Sequence, residues 1–193
     1  MRPPSVSVIV PARNEERNIL AALRSLATLQ YDGLEVIVVD DLSADRTAEL
    51  AKTFMQAYTG SMHLRLLTAP SDPPPGWVGK TFAVDYAITH STGDIILVCD
   101  ADVTHTPQSL RAVVEYFQTH HLDLLSLLPH LDTRSCGAYP MLFQTFLLYV
   151  SSRIARSLGR RQSFGANIRS LCRSSTTVRR MAEHLPLFAT ATP

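Results

Sequence analysis

The sequence predicts an α/β fold, a mostly parallel sheet flanked by helices, and two observations lead to it. Short apolar runs rich in β-branched residues alternate with segments of helical period, which is the pattern of a sheet covered on both faces. Acidic pairs stand at the carboxyl ends of two of those runs, where sheets of this kind gather their ligands. At 193 residues and 46% apolar content, the chain is long enough to bury one ordinary core.

The elements follow in order. Val6–Val10 reads as a buried strand ended by Pro11, and Asn14 is placed to cap the helix after it, with Glu15 and Glu16 near its positive end. Leu34–Val39 is the second strand and stops at Asp40-Asp41. A helix from about Asp45 to Tyr58 and a strand over His63–Thr68 come next. A proline-rich loop, Ala69–Gly79, then leads into a helix over Lys80–Ser91 that turns Phe82, Ala83, Tyr86 and Ala87 inward. Asp94–Cys99 is the fourth strand and runs into Asp100-Ala101-Asp102. Thr106 caps a helix with Pro107 at its first position, and Leu122–Leu128 is a fifth strand. After about residue 131 the pattern degrades, with one apolar stretch at Ala138–Val150 and no clean period from Arg160 onward. Residues 1–131 therefore read as one domain and 132–193 as an incomplete segment.

Charge divides the chain at the same place. Residues 1–131 carry a net −6 and residues 132–193 a net +7, with nine arginines against Asp132 and Glu183. The acidic part suits cation binding and the basic part suits phosphate or an anionic membrane surface. Cys99, Cys136 and Cys172 are too scattered for a zinc site or a disulfide framework. The start, Met1-Arg2-Pro3-Pro4, has no signal-peptide pattern. Ala138–Val150 is shorter than the ~20 apolar residues that cross a bilayer. With Arg153, Arg156, Arg160 and Arg161 behind it, this stretch suits either the membrane interface or a buried core helix. The expectation is a cytoplasmic protein, placed at the inner face of the membrane, with no nucleic-acid partner.

Four short motifs carry the chemistry. In Asp100-Ala101-Asp102, two carboxylates one residue apart on a turn can grip a divalent cation, and hard oxygen ligands select Mg²⁺ or Mn²⁺. Alone, such a turn is common. Asp40-Asp41 can accept hydrogen bonds from a base edge or a ribose, although taken alone the pair reads better as a plain capped loop, since Ser43 and Asp45 already supply cap chemistry. Pro11, Ala12, Arg13 and Glu15 follow the first strand and can line a nucleotide pocket. In Gly76-Trp77-Val78-Gly79-Lys80 the glycines let backbone approach a phosphate, Lys80 supplies a positive charge and Trp77 a flat face. His105 lies near the acidic turn but fits a helix-cap region better than a ligand position.

Taken in order, Val6–Glu15, Val38-Val39-Asp40-Asp41, Gly79-Lys80 and Asp100-Ala101-Asp102 resemble the family 2 glycosyltransferases, and the Pro-Gly-Trp-Val-Gly-Lys loop is similar to that of hopanoid- and carotenoid-associated members. The resemblance covers about residues 5–130. It implies a GT-A fold, a UDP- or GDP-linked sugar donor, Mg²⁺ or Mn²⁺, and inverting transfer to an acceptor hydroxyl, with a lipid as the candidate acceptor. By matching position it implies that Asp41 holds the base with Asp40 beside it. Lys80 approaches the diphosphate, Asp100 lies near ribose and metal, and Asp102 ligates the metal.

The pattern then breaks. Family members carry a downstream Glu-Asp pair that provides the general base and a Gln-x-x-Arg-Trp-type motif, and this chain has neither. After Asp123 the acids are Asp132 and Glu183, so no catalytic residue is assigned. The segment from Asn167 shows no strand or apolar helix, and a truncated, inactive remnant that still binds nucleotide sugar is the rival reading. A nucleotidyltransferase fits less well because Pro11–Glu15 lacks glycine, and a dinucleotide-binding oxidoreductase less still because G-x-G-x-x-G is absent.

Overall fold

The computed structural model describes residues 3–70, 73, 74, 77, 79–127 and 169–173. Its strands are β1 (Val6–Ala12), β2 (Leu34–Asp40), β3 (His63–Thr68), β4 (Ile95–Val98), β5 (Leu124–Leu127) and β6 (Arg169–Arg173). Its helices are α1 (Ile19–Ala27), α2 (Thr47–Ala57), α3 (Gly79–Thr89) and α4 (Ser109–Thr119). The sheet order is β3-β2-β1-β4-β6-β5. The strands β1 to β4 pair in parallel, and β6 runs antiparallel between β4 and β5. The predicted α/β class and mostly parallel sheet are what the chain forms. The sixth strand was not predicted from the sequence: Arg169–Arg173 is short, rich in polar residues and without local period, and its place depends on the gap between β4 and β5. The segments 128–168 and 174–193 lie outside the described residues, and with them the predicted stretch at 138–150.

Every residue of β1 and β2 is buried, as a continuous apolar run between two helical layers requires. On one face Val6, Val8, Val10, Val36 and Val38 pack with Ile19, Leu23 and Leu26 of α1 and Leu110, Val114 and Phe117 of α4. On the other, Ile9, Ile37, Val39 and Ile96 meet Ala83 and Ala87 of α3. Alanine at both positions brings α3 close to the sheet.

Pro11 does not end β1, as expected from the sequence; the strand continues to Ala12. The odd residues of β1 turn their backbone groups toward β4, as Cys99 N–H donating to Ile9 O shows, while Ala12 O accepts from Asp41 N–H on the β2 side. The β1–β4 ladder stops at Ile9↔Val98, so Pro11 lies past it and its missing N–H forfeits no ladder bond. β1 thus outruns β4. The sheet order reverses here, with β2 and β3 to one side of β1 and β4 to the other, and in sheets of this kind the ligand crevice lies outside the strand ends at that reversal.

The opposite edge of the sheet is closed by a buried polar network. The Glu35 carboxylate accepts from Ser7 Oγ at 2.6 Å, Thr92 N–H at 3.1 Å, Thr92 Oγ1 at 3.1 Å and Arg65 Nη1 at 3.1 Å. Gly93 N–H donates to the same Ser7 hydroxyl at 2.8 Å. Burial pushes the Glu35 carboxyl up, but the donors around it more than offset this and hold it below its ordinary value of 4.5. A Cβ on Gly93 would stand 2.5 Å from Ser7 N.

Two outcomes follow. Gly93→Ala should destabilise the domain by about 1–3 kcal/mol, read as a lower urea midpoint at unchanged slope. The stability that Glu35 contributes is full above pH 4.5 and is lost as pH falls through its lowered value. Glu35→Gln should flatten the pH dependence of the unfolding free energy in that acid window, measured by denaturation at a series of pH values.

Candidate functional site

The loops after β1, β2 and β4 and the start of α3 meet at the carboxyl ends of the strands. The β1 and β2 loops are stitched together. Asn14 N–H donates to Ser43 Oγ at 3.0 Å, and Ala44 N–H donates to Asn14 Oδ1 at 2.9 Å. Glu15 N–H donates to Thr47 Oγ1 at 2.8 Å, and Glu16 N–H to Asp45 Oδ2 at 3.1 Å. Burial raises the Asp45 carboxyl, but its hydrogen bonds from Thr47 and the Glu16 amide more than offset this and leave it below its ordinary value.

Asn14 is therefore not a helix cap, as the sequence suggested. It adopts a left-handed backbone (φ 56°), and α1 begins later, at Ile19. Asparagine is favoured both at caps and in left-handed turns, so the residue type alone does not separate the two. Leu42 is the less expected case. It too is left-handed (φ 54°), a strained conformation for a bulky side chain, and its side chain is exposed. Nothing in the sequence signals it, because leucine is not a residue that marks such turns.

Asp41 is buried, with its side chain 6% exposed. Arg13 Nη1 stands 3.5 Å from Asp41 Oδ2. A Cβ on Gly79 would lie 2.8 Å from that same oxygen, so a larger residue at the start of α3 would have to displace the Asp41 carboxylate. Gly79 thus brings its backbone against a carboxylate, where a phosphate contact had been expected. Asp41 Oδ1 is buried and meets no hydrogen-bond partner among the described residues. The next residue, Lys80, places Nζ 2.5 Å from Asp100 Oδ1. Consecutive residues of α3 therefore touch both acidic strand ends.

The other predicted site residues are distributed less evenly. Pro11 and Ala12 are buried in the β1–β2 ladder, with the Ala12 carbonyl already taken by Asp41 N–H. Asp40 is buried and turns into its own loop, accepting from Ser43 N–H at 3.3 Å. The Glu15 carboxylate accepts from Asn18 Nδ2 at 2.8 Å. Asp100 is partly buried and Asp102 is exposed on the same turn. Among the described residues no group of three or more His, Cys, Asp or Glu side chains gathers as a cation site. Asp100 and Asp102 still provide hard oxygen donors of the type Mg²⁺ and Mn²⁺ take. Trp77 packs edge-on to Phe82 with ring centroids 6.1 Å apart and is 38% exposed. Gly76, Val78 and Asp132 lie outside the described residues.

Comparison with known proteins bears on this geometry. The model of Glycosyl transferase family 2 matches residues 7–182, well past the stretch that carries the motifs. A probable glycosyltransferase, YdaM of Bacillus subtilis, is 38% identical over 109 residues, which is 55% of this chain and 24% of the relative. The 4,4'-diaponeurosporenoate glycosyltransferase of Staphylococcus haemolyticus is 34% identical over 129 residues, 65% of this chain and 32% of the relative. The chain thus spans about a quarter to a third of these curated relatives. Among solved structures, the mannosyltransferase PcManGT of Pyrobaculum calidifontis in complex with GDP-Man and Mn²⁺ superposes with TM-score 0.58 at 27% identity, covering 67% of this chain and 36% of that one. TarS of Staphylococcus aureus in complex with UDP-GlcNAc gives TM-score 0.54 at 25% identity, covering 68% and 36%.

A buried carboxylate with one oxygen unmet costs folding free energy. Asp41→Asn removes the charge at nearly constant shape. Its melting temperature should equal or exceed that of the wild type in ligand-free thermal unfolding, whereas a clear drop would mark Asp41 as a structural residue.

Proposed function

The chain belongs to glycosyl transferase family 2, and on that premise we propose that its GT-A domain binds a nucleotide-diphosphate sugar at the crevice between β1 and β4 and delivers the sugar to an acceptor hydroxyl with inversion. The observation that supports this most is the unmet Asp41 Oδ1 beside the start of α3, because a buried acceptor is relieved when a ligand donates to it. In this reading Asp41 accepts an N–H of the base, with Arg13 at its rim. Lys80, one residue along α3 from the Asp41 contact, turns its ammonium to the diphosphate. Pro11, Ala12, Glu15 and Asp40 hold the loops that wall the nucleotide. Asp100, near the ribose, and Asp102 are the residues that would hold Mg²⁺ or Mn²⁺. When bound, the cation neutralises the charge that grows on the leaving diphosphate.

The acceptor we propose is a lipid hydroxyl. The similarity to a 4,4'-diaponeurosporenoate glycosyltransferase supports it, as does the basic net charge of residues 132–193, which suits peripheral contact with an anionic cytoplasmic leaflet. No helix of the described residues is long and apolar enough to cross a membrane. The shortage of acids after Asp123 favours a second reading, in which the chain binds the donor without turning it over.

Calorimetric titration of UDP and GDP, with and without Mn²⁺, separates these ideas from a wrong assignment. Metal-dependent binding should appear in the wild type and weaken by tenfold or more in Asp102→Ala. Folded protein that binds neither nucleotide would overturn the donor-site reading. Sugar transfer from the bound nucleotide to lipid acceptors in vesicles then distinguishes an active enzyme from a remnant.

A further inference from the structure

Resting on the lipid-acceptor reading above, we infer that the loop rim at the carboxyl ends of β1 and β2 is the surface this chain lays on an anionic bilayer, with Leu42 and Trp77 entering the interface. Four large apolar side chains are exposed among the described residues, and two of them, Leu42 and Trp77, flank a single contact. Leu42 follows Asp41, and Trp77 comes two residues before Gly79, whose backbone meets the Asp41 carboxylate. The other two, Tyr116 and Leu124, belong to α4 and β5. Leu42 is 39% exposed and left-handed at φ 54°, a conformation that asparagine or glycine takes readily and leucine takes at a cost. Trp77 is held in place: its N–H donates to Pro74 O at 3.0 Å, and its ring is braced edge-on by Phe82. An indole joins an apolar body to one polar N–H, which suits the boundary between headgroups and acyl chains.

Charge on the same rim decides what covers it. Arg13, Arg46 and Lys80 each have more than half of their side chain exposed. The acids of these loops are turned to their own donors. Asp40 accepts from Ser43 N–H, Asp45 from Thr47 and from Glu16 N–H, and Glu15 from Asn18 Nδ2. Glu16 pairs with Arg46 at 3.8 Å, and the exposed Asp102 is the residue given to the metal. The rim thus presents cations around two apolar side chains. A second copy would set like charges against each other, and two apolar side chains are too few for a stable protein interface. For a peripheral membrane contact the same set suffices, because apolar insertion and attraction to anionic headgroups add.

Trp77 is the single tryptophan of the chain, so its fluorescence reports this surface and no other. The experiment adds phosphatidylcholine vesicles, with and without phosphatidylglycerol, to the whole chain free of nucleotide. With phosphatidylglycerol, Trp77 emission should shift to the blue and be quenched by nitroxides on the lipid chains near the headgroups. Added salt should reverse the shift. Leu42→Asn should weaken vesicle binding by about three- to tenfold in flotation. Its melting temperature should equal or exceed that of the wild type, because asparagine accepts the left-handed backbone. Leu42→Met should bind as the wild type does. Flotation with vesicles while Trp77 emission stays unmoved would place the contact elsewhere on the chain and overturn the inference. Absence of binding to either vesicle, or unchanged binding in Leu42→Asn, would overturn it too. A blue shift that follows protein concentration without lipid would assign the rim to a second copy instead. A lipid-dependent blue shift without sugar transfer to lipid would uphold this surface and count against the acceptor reading alone.

Discussion

The close approach of Gly79 to the Asp41 carboxylate is the constraint on which the site depends, and its cause lies in apolar packing. Ala83 and Ala87 let α3 settle against Ile9, Ile37, Val39 and Ile96. That distance from the sheet fixes where the helix begins, and there a Cβ would stand 2.8 Å from Asp41 Oδ2 and push the carboxylate from its place. Lys80 is carried to Asp100 by the same placement. The Lys80–Asp100 pair does not hold the helix in turn: with Lys80 54% exposed it is worth about 1 kcal/mol or less. Core burial positions the charges, and the charges remain available to a ligand.

The two ends of the sheet treat a buried carboxylate in opposite ways. At the amino ends of the strands Glu35 is surrounded by donors from Ser7, Thr92 and Arg65, each from a different element. At the carboxyl ends Asp41 has one distant cation and one bare oxygen. Both are acids buried in the same sheet, and both cost desolvation. The satisfied one ties β1, β2, β3 and the α3–β4 connection together, so it belongs to stability. The unsatisfied one leaves part of that cost unrecovered in the free protein, and the proposed contact with a base would recover it.

The inner strands were legible in the sequence because doubly covered strands must be largely apolar, and Val6–Val10 and Leu34–Val39 meet that requirement. The acidic strand ends were legible for the same reason: the runs stop abruptly at charge. What could not be read is what depends on distance between elements. The contact between Gly79 and Asp41 spans 38 positions of sequence and is set by helix–sheet packing. Asn14 and Leu42 turn left-handed because two neighbouring loops bind each other, and neither loop contains that information alone. The strand Arg169–Arg173 becomes a strand through its partners β4 and β5.

Pro11 joins the local and the long-range parts of this account. Read alone, a proline after five apolar residues ends a strand. In the sheet, the strand continues, because its missing N–H points to the side where β4 has already stopped. A β4 longer by two residues would bring its ladder to Pro11, where no donor exists. The proline therefore guards the mismatch in strand length. That mismatch opens the crevice at the reversal of sheet order, with Asp41 on one side of β1 and Asp100 on the other. A residue that first looks like punctuation thus keeps the binding edge of the sheet unpaired.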